Sequence, residues 1–345
     1  MPPAKRAGPV LNRRAPLPVV VHSSPLVLPV CADPIRDGAV ALKGDRVVEV
    51  GTRASVTTSF PAAEELRWTG MIVAGLVDAR AAGSASGLAA GPGVTARAGV
   101  VSDLAEPAGV PGISYVEVTS ASEEEWETRG RDAVITAIRE VDRPCPVGIA
   151  AHTPDPQVLE DVAVLARTFG LRLLVDLDRH SPAALDEAGV LGPLCHVAVS
   201  RPLDPGERKL LRLRKTVVAV CASPAPDVLA LLDEGNTVAL GTGADGGPTG
   251  GTGGVLGVAR GIRQHARELG LRTRGLDGRL VAAATMGGAR ALGMHRGKGR
   301  IGSLAPGTRA DFAVFDARGR YPYAALLAQP PCLGTVLGGT VLPAA

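Results

Sequence analysis

Short apolar runs broken by turn residues dominate the first third of the chain. From Pro18 to Thr69 they fall at Leu26 to Val30, Gly38 to Leu42 and Val47 to Val50, with Lys43-Gly44-Asp45 and Glu49-Val50-Gly51 as punctuation. This pattern predicts a small antiparallel sheet. The last stretch reads the same way, with strands predicted at Ala310 to Phe315 and Thr335 to Val341. Two β-rich ends around a different middle imply that the termini pair into one discontinuous small domain. In the middle the period changes. Val158, Leu159, Val162, Leu165, Ala166 and Phe169 share one face of a helix predicted over Pro156 to Phe169, and Gly170 supplies its left-handed stop. Strands at Leu171 to Leu177, His196 to Val199, Thr216 to Cys221 and Thr237 to Leu240 then alternate with helices at Pro205 to Arg214, Asp227 to Asp233 and Val255 to Leu269. Repeated β–α units of this length point to a parallel barrel or an open doubly wound sheet. No GxGxxG follows the first strand, which disfavours a dinucleotide-binding sheet.

Composition narrows the picture. A length of 345 residues suits one large barrel or two ordinary domains, and 46% apolar residues give an ample core. Aromatics are only 3%, so Val, Leu and Ala must fill that core. The net charge of +3 is small, and no basic block is interleaved with aromatics, so nucleic acid is not an expected partner. The run Val19-Val20-Val21 is too short for a signal segment or a membrane span, and no membrane partner is expected. Five scattered cysteines, Cys31, Cys145, Cys195, Cys221 and Cys332, lack CxxC spacing. They read as reduced thiols in a cytoplasmic protein. Residues 1–17 read as a disordered leader rich in Pro, Arg and Ala. The glycine-rich run Gly246 to Gly254 has no GxxxxGK spacing and reads as a flexible loop rather than a phosphate cradle.

Several segments, in order, resemble the amidohydrolase superfamily, in particular its aminodeoxyfutalosine deaminase and imidazolonepropionase types. Pro34 to Gly51 resembles the first small-domain hairpin, and Ile72 to Ala82 the strand that opens the barrel. Gly112 to Val118 resembles a mid-barrel strand, and Gly148 to Pro154, with His152, the substrate-pocket segment. Leu240-Gly241-Thr242 resembles the start of the final strand, and Ala284 to Gly293 followed by Ile301 to Phe312 the return to the small domain. The resemblance implies an α/β fold: a (β/α)8 TIM-type barrel over residues 71–298, plus a small composite β-sandwich domain from 18–70 and 299–345. It places the active site at the C-terminal ends of the strands.

The same resemblance locates the positions where such enzymes hold a divalent ion, and most are changed. The two strand-one histidine positions are Arg80 and Ala82. In Leu174 to Arg179 the strand-five ligand position is Asp176 and the proton-shuttling glutamate position is Arg179. The strand-six histidine is kept as His196, and the strand-eight aspartate position is Gly243. Catalytic zinc normally takes three protein ligands and a water. One imidazole and one carboxylate fall short, so no cofactor is expected, with Zn or Fe only if a site is rebuilt from Asp176, His196 and Asp245, Cys221 being a softer candidate. The reading preferred here is replacement: the Arg80 guanidinium pairs with Asp176 where the ion is missing. His152 and Arg179 are the candidate ligand-binding residues, and His196 reads as a hydrogen-bonded core histidine. His22, His180, His265 and His295 have no spacing that distinguishes them from surface residues.

Two functions remain open. The first is a non-catalytic relative that binds a small cyclic or nucleoside-like molecule, or a partner protein, in the old pocket. The alternative is an active hydrolase of non-peptide C–N bonds, a cyclic amidine or aminopurine deaminase with a rebuilt metal site. A homo- or hetero-oligomer is compatible with either.

Overall fold

The computed structural model describes residues 17–81, 91–101, 111–140, 146–221, 227–243, 254–271 and 273–342. Ala82, Asp245, Cys145, the leader up to residue 16 and the glycine-rich run up to Gly253 lie outside the described residues.

Eight parallel strands form the barrel sheet in sequential order: β1 (Leu76–Asp78), β2 (Val94–Val101), β3 (Gly112–Val118), β4 (Val147–Ala151), β5 (Arg172–Asp176), β6 (Cys195–Val199), β7 (Val217–Val220) and β8 (Val238–Leu240). The first and last strands do not form a ladder. They are joined just past their ends, where Ala79 N–H donates to the Leu240 carbonyl at 3.0 Å and Gly243 N–H donates to the Arg80 carbonyl at 2.8 Å. Side chains alternate across each strand. Val77, Ala96, Ala98, Tyr115, Ala150, Leu174, Ala198 and Ala219 therefore fill the interior, while Leu76, Val116, Ile149, Val175 and Val197 pack outward in the larger cluster that includes the surrounding helices. Small residues inside leave room for the few large groups placed there.

The helices are specified locally. Asp155 accepts the N–H groups of Gln157 and Val158, Pro156 opens the helix Pro156–Phe169, and Gly170 closes it at φ +63°. The helix Pro205–Leu213 starts on a capping box between Asp204 and Glu207. Trp126, fully buried, donates its indole N–H to Asp161 at 3.1 Å and ties the stretch before the helix Arg131–Glu140 to the next helix.

The second sheet draws on both halves of the sequence, as the two β-rich ends imply. It differs in two respects from the sequence expectation. It is one mixed hydrogen-bonded sheet rather than an antiparallel set or a sandwich of two, because Val19–Leu28 runs antiparallel to Ile35–Lys43 but parallel to Glu64–Arg67 and Met71–Ala74. The apolar run that opens the barrel also splits at Gly75. Met71–Ala74 pairs with Phe312–Phe315 in the second sheet, and only Leu76–Asp78 enters the barrel. Gly75 suits the crossover, since a Cβ there would lie 2.1 Å from Thr95 Oγ1.

His22 is not a surface residue. It is 2% exposed, accepts the Trp68 indole N–H at 3.1 Å on Nδ1, and meets the edge of Phe312. Burial pushes its pKa down to about 4. In the same sheet Asp311 accepts the Gly338 N–H at 2.7 Å and pairs with Arg309, yet burial pushes its carboxyl up to about 6. The two groups act on stability in opposite senses. A histidine held neutral withdraws stability as pH falls from 6.5 towards its folded value. A carboxylate raised from 3.8 adds stability over the window from about 6 down to 3.8, because there the folded state binds the proton more tightly. Between pH 7 and pH 5, Asp311→Asn is therefore expected to lose about 1 kcal/mol more stability than the wild type. Urea unfolding at the two pH values checks this, and equal changes in both proteins would refute it.

Candidate active site

At the C-terminal mouth of the barrel the inward-facing positions of three neighbouring strands meet. Glu117 follows Tyr115 on β3, His152 follows Ala150 just past β4, and Asp176 follows Leu174 at the end of β5. Each lies two residues beyond an interior side chain, so the pleat turns all three to the same side. The His152 N–H donates to the Val118 carbonyl at 2.9 Å, which extends the β3–β4 pairing and fixes the imidazole.

The Arg80–Asp176 ion pair expected from the sequence is present. Arg80 Nε donates to Asp176 Oδ1 at 3.2 Å and Nη2 to Oδ2 at 3.0 Å, the parallel geometry that suits a guanidinium to a carboxylate. The Arg80 side chain is 6% exposed and that of Asp176 19%. His152 stands against the other side of Asp176. Its Nδ1 lies 2.7 Å from Glu117 Oε1, and its Nε2 lies 3.0 Å from Asp176 Oδ2 but off the line a hydrogen bond requires. Burial alone would lower the imidazole pKa; Asp176 and Glu117 outweigh it and hold His152 above its ordinary value. Burial would likewise raise Asp176, but His152 and Arg80 bring its carboxyl well below the usual carboxylate range. The mouth thus contains an imidazole between two carboxylates, with a guanidinium locked on the inner one.

The remaining predicted residues are placed as follows. His196 lies in the barrel interior at 0% exposure. Its Nε2–H donates to the Ala79 carbonyl at 2.9 Å, and its Nδ1 is 3.4 Å from the Tyr115 hydroxyl. Burial, followed by the charge of Arg172, pushes its pKa down to about 3, so the ring is neutral. Arg179 is exposed in the turn after β5 and is not drawn into the cluster. Gly243 stands at φ +85°, where its N–H reaches the Arg80 carbonyl. The Cys221 thiol donates to the Ala219 carbonyl, and burial pushes its pKa up.

Three groups near the mouth were not singled out by sequence reasoning. Glu117 is one, and its signal was a lone carboxylate in an otherwise apolar strand. Asp78 is another: it accepts the Arg80 N–H at 3.2 Å, the Thr242 N–H at 3.1 Å and the Thr242 hydroxyl at 2.7 Å. It thereby bonds the turn after β1 to the turn after β8, and burial raises its pKa. His180, read from the sequence as a surface residue, is half-buried and donates from Nε2 to the Thr153 carbonyl at 2.8 Å.

Comparison with known proteins places this geometry. The amidohydrolase family model matches residues 117–342, about two thirds of the chain. The chain belongs to the amidohydrolase family. The matched stretch begins at Glu117, after the segment that carries Arg80 and Ala82. An imidazolonepropionase from Saccharopolyspora erythraea is 37% identical over 108 residues, which is 31% of this chain and 25% of that protein. Aminofutalosine deaminase from Helicobacter pylori superposes with a TM-score of 0.76 at 14% identity, covering 94% of this chain and all of that one. An adenosine deaminase from Xanthomonas campestris with bound zinc gives 0.73 at 17% identity, covering 95% and 93%. Triazine hydrolase from Arthrobacter aurescens gives 0.74 at 15% identity, covering 94% of each chain. At these identities the structural matches establish the fold, a TIM barrel with an added sheet.

Family membership brings a metal into question, and the donors in this amidohydrolase-family chain can be tested for it. Among the described residues no group of three His, Cys, Asp or Glu side chains is arranged to hold an ion. Both oxygens of Asp176 face Arg80, and Nε2 of His196 is spent on a backbone carbonyl. These side chains do not fit an ion as they stand. Among the described residues no helix is long and apolar enough to cross a membrane.

Proposed function

We propose that this chain is a hydrolase of non-peptide C–N bonds, acting at the barrel mouth on a small nitrogen-rich ring such as a cyclic amidine or an aminopurine. The observation that carries the reading is the placing of His152 between Glu117 and Asp176, at 2.7 and 3.0 Å, where strands of this fold present their chemistry. Family membership and the deaminase and hydrolase neighbours support it over a purely non-catalytic role.

The residues suit general acid–base chemistry. The Glu117 side chain is 34% exposed, so its carboxylate can accept N–H groups of an amidine. An imidazole whose pKa is held above its ordinary value by two carboxylates suits proton transfer to a departing nitrogen. In the proposed reaction the oxygen of water bonds to the ring carbon and the C–N bond breaks. One proton of water passes to the departing nitrogen and the other to the ring nitrogen, by way of His152 and Glu117, which end as they began. Arg80 keeps Asp176 ionised throughout, and Asp176 keeps His152 in place.

A second reading, a non-catalytic relative that only binds such a ring, is favoured by one observation: Arg80 occupies both oxygens of the inner carboxylate. One experiment separates the two. The purified chain is incubated with aminopurine nucleosides, cyclic amidines and imidazolones, while ammonia release, ring absorbance and thermal unfolding are followed. Turnover above the buffer rate is expected with at least one ring class. A thermal shift without turnover across the panel would refute the hydrolase reading and leave the binding one.

A further inference from the structure

We infer that the guanidinium of Arg80 is the resident cation of this barrel mouth and that it excludes a divalent metal from the site. The inference rests on the reading that the mouth is where this chain works, and it specifies where the site obtains its positive charge.

The donors nearest the position an ion would take are already engaged. Asp176 Oδ1 accepts from Arg80 Nε at 3.2 Å, and Oδ2 accepts from Nη2 at 3.0 Å while facing His152 on its other side. On His196, Nε2 faces the Ala79 carbonyl at 2.9 Å. A carbonyl can only accept, so this nitrogen carries the hydrogen and offers no lone pair. Turning the ring to face an ion would orphan that carbonyl in a site with 0% exposure for His196. The Cys221 thiol is turned to the Ala219 carbonyl, to which it donates at 3.5 Å. The Asp78 carboxylate is held by Thr242 and by the backbone of Arg80.

Charge leads to the same conclusion. The Arg80 charge is always present, 5% exposed and fixed on its partner, so it cannot swing into solvent when an ion arrives. One positive charge balances the one negative charge of Asp176, and a divalent ion would add two more at the same spot. In a partly buried site such like charges repel far more strongly than in water.

The test uses the full chain. Wild-type protein is dialysed against excess zinc or ferrous iron, then against buffer, and its metal content is measured. The expected content is below about 0.1 atom per chain, and excess zinc is expected to move Tm by less than about 1 °C, since only a bound ligand stabilises. The variant Arg80→His, which frees both oxygens of Asp176 and adds an imidazole, is expected to retain several-fold more zinc than the wild type and to gain a zinc-dependent rise in Tm. About one metal atom per wild-type chain, or a zinc-dependent rise in wild-type Tm that His196→Ala abolishes, would overturn the inference. An Arg80→His variant that folds yet stays free of metal would overturn the role given to Arg80. If that variant does not fold, the wild-type metal content decides alone. Turnover is judged separately. A metal-free active chain supports both readings, and a metal-free inactive chain refutes only the hydrolase reading. A metal-loaded chain overturns the present inference whatever its turnover.

Discussion

Replacing Arg80 by alanine is expected to destabilise the protein by about 3–5 kcal/mol, the range found when one partner of a buried ion pair is removed. The loss has two parts. The guanidinium gives Asp176 two aligned N–H donors, and without it a carboxylate only 19% exposed keeps, among the described residues, only His152 beside it. The Asp176 carboxyl, held far below its ordinary value by His152 and Arg80, should then titrate at higher pH. Because a depressed carboxylate adds stability above its unfolded pKa and withdraws it as pH falls through the folded one, the variant should also show a smaller acid-dependent loss. Urea unfolding of Arg80→Ala, Asp176→Ala and the double variant measures the effect. The double variant should be distinctly more stable than the sum of the single changes predicts, since it leaves no charge unpaired. Strict additivity would mean that the pair is not coupled.

The second large effect is on chemistry. His152→Gln is expected to lower turnover about 10²- to 10⁴-fold, the usual contribution of a positioned acid or base, while leaving the mouth polar and nearly the same size. The same variant should remove the limb of the pH–rate profile that falls as the raised His152 pKa is passed, because glutamine cannot titrate. A profile that keeps this limb would move the proton-transfer role to another group. Glu117→Gln distinguishes recognition from proton transfer. It keeps an acceptor for a ring N–H but loses the charge that helps hold His152 protonated, so its pH profile should shift to lower values.

The site was legible in sequence through the order of motifs that resemble the amidohydrolases. His152 and Asp176 could be found because the segments Gly148 to Pro154 and Leu174 to Arg179 resemble the family's pocket and strand-five segments. Arg80 was visible because it stands at one of the family's strand-one histidine positions, and opposite charge then made Asp176 its natural partner. Glu117 obeyed its strand's alternation but was passed over, since a single carboxylate in a strand reads equally well as a solvent-facing position. Asp78 and Thr242 are 164 residues apart in sequence. Only closure of the barrel between β1 and β8 brings them within 2.7 Å, and no local pattern encodes that contact.

The second sheet shows the same division. The β-rich ends announced that both termini contribute strands. Whether neighbouring strands run parallel or antiparallel depends on how the chain returns, and the parallel pairing of Val19–Leu28 with Met71–Ala74 follows from the path through the intervening helix and hairpin. His22 reads as polar and therefore exposed. Its burial depended on Trp68, just past the strand Glu64–Arg67, arriving with an N–H for its ring nitrogen.

By itself, then, the sequence determined the alternation of strands and helices, the barrel with its added sheet, and the identity of the charged groups that the strands carry to the mouth. Periodicity and turn residues act within a few positions, so the alternation can be read without the fold, whereas the barrel and the groups at its mouth came from the ordered motifs that resemble the amidohydrolases. The tertiary structure decided which donors remain available at the mouth. Arg80 is fixed on Asp176, Asp176 is shared with His152, and His196 is committed to a backbone carbonyl. Such pairings depend on distances of about 3 Å between strands far apart in the chain, where a displacement of one ångström exchanges an ion pair for a free ligand.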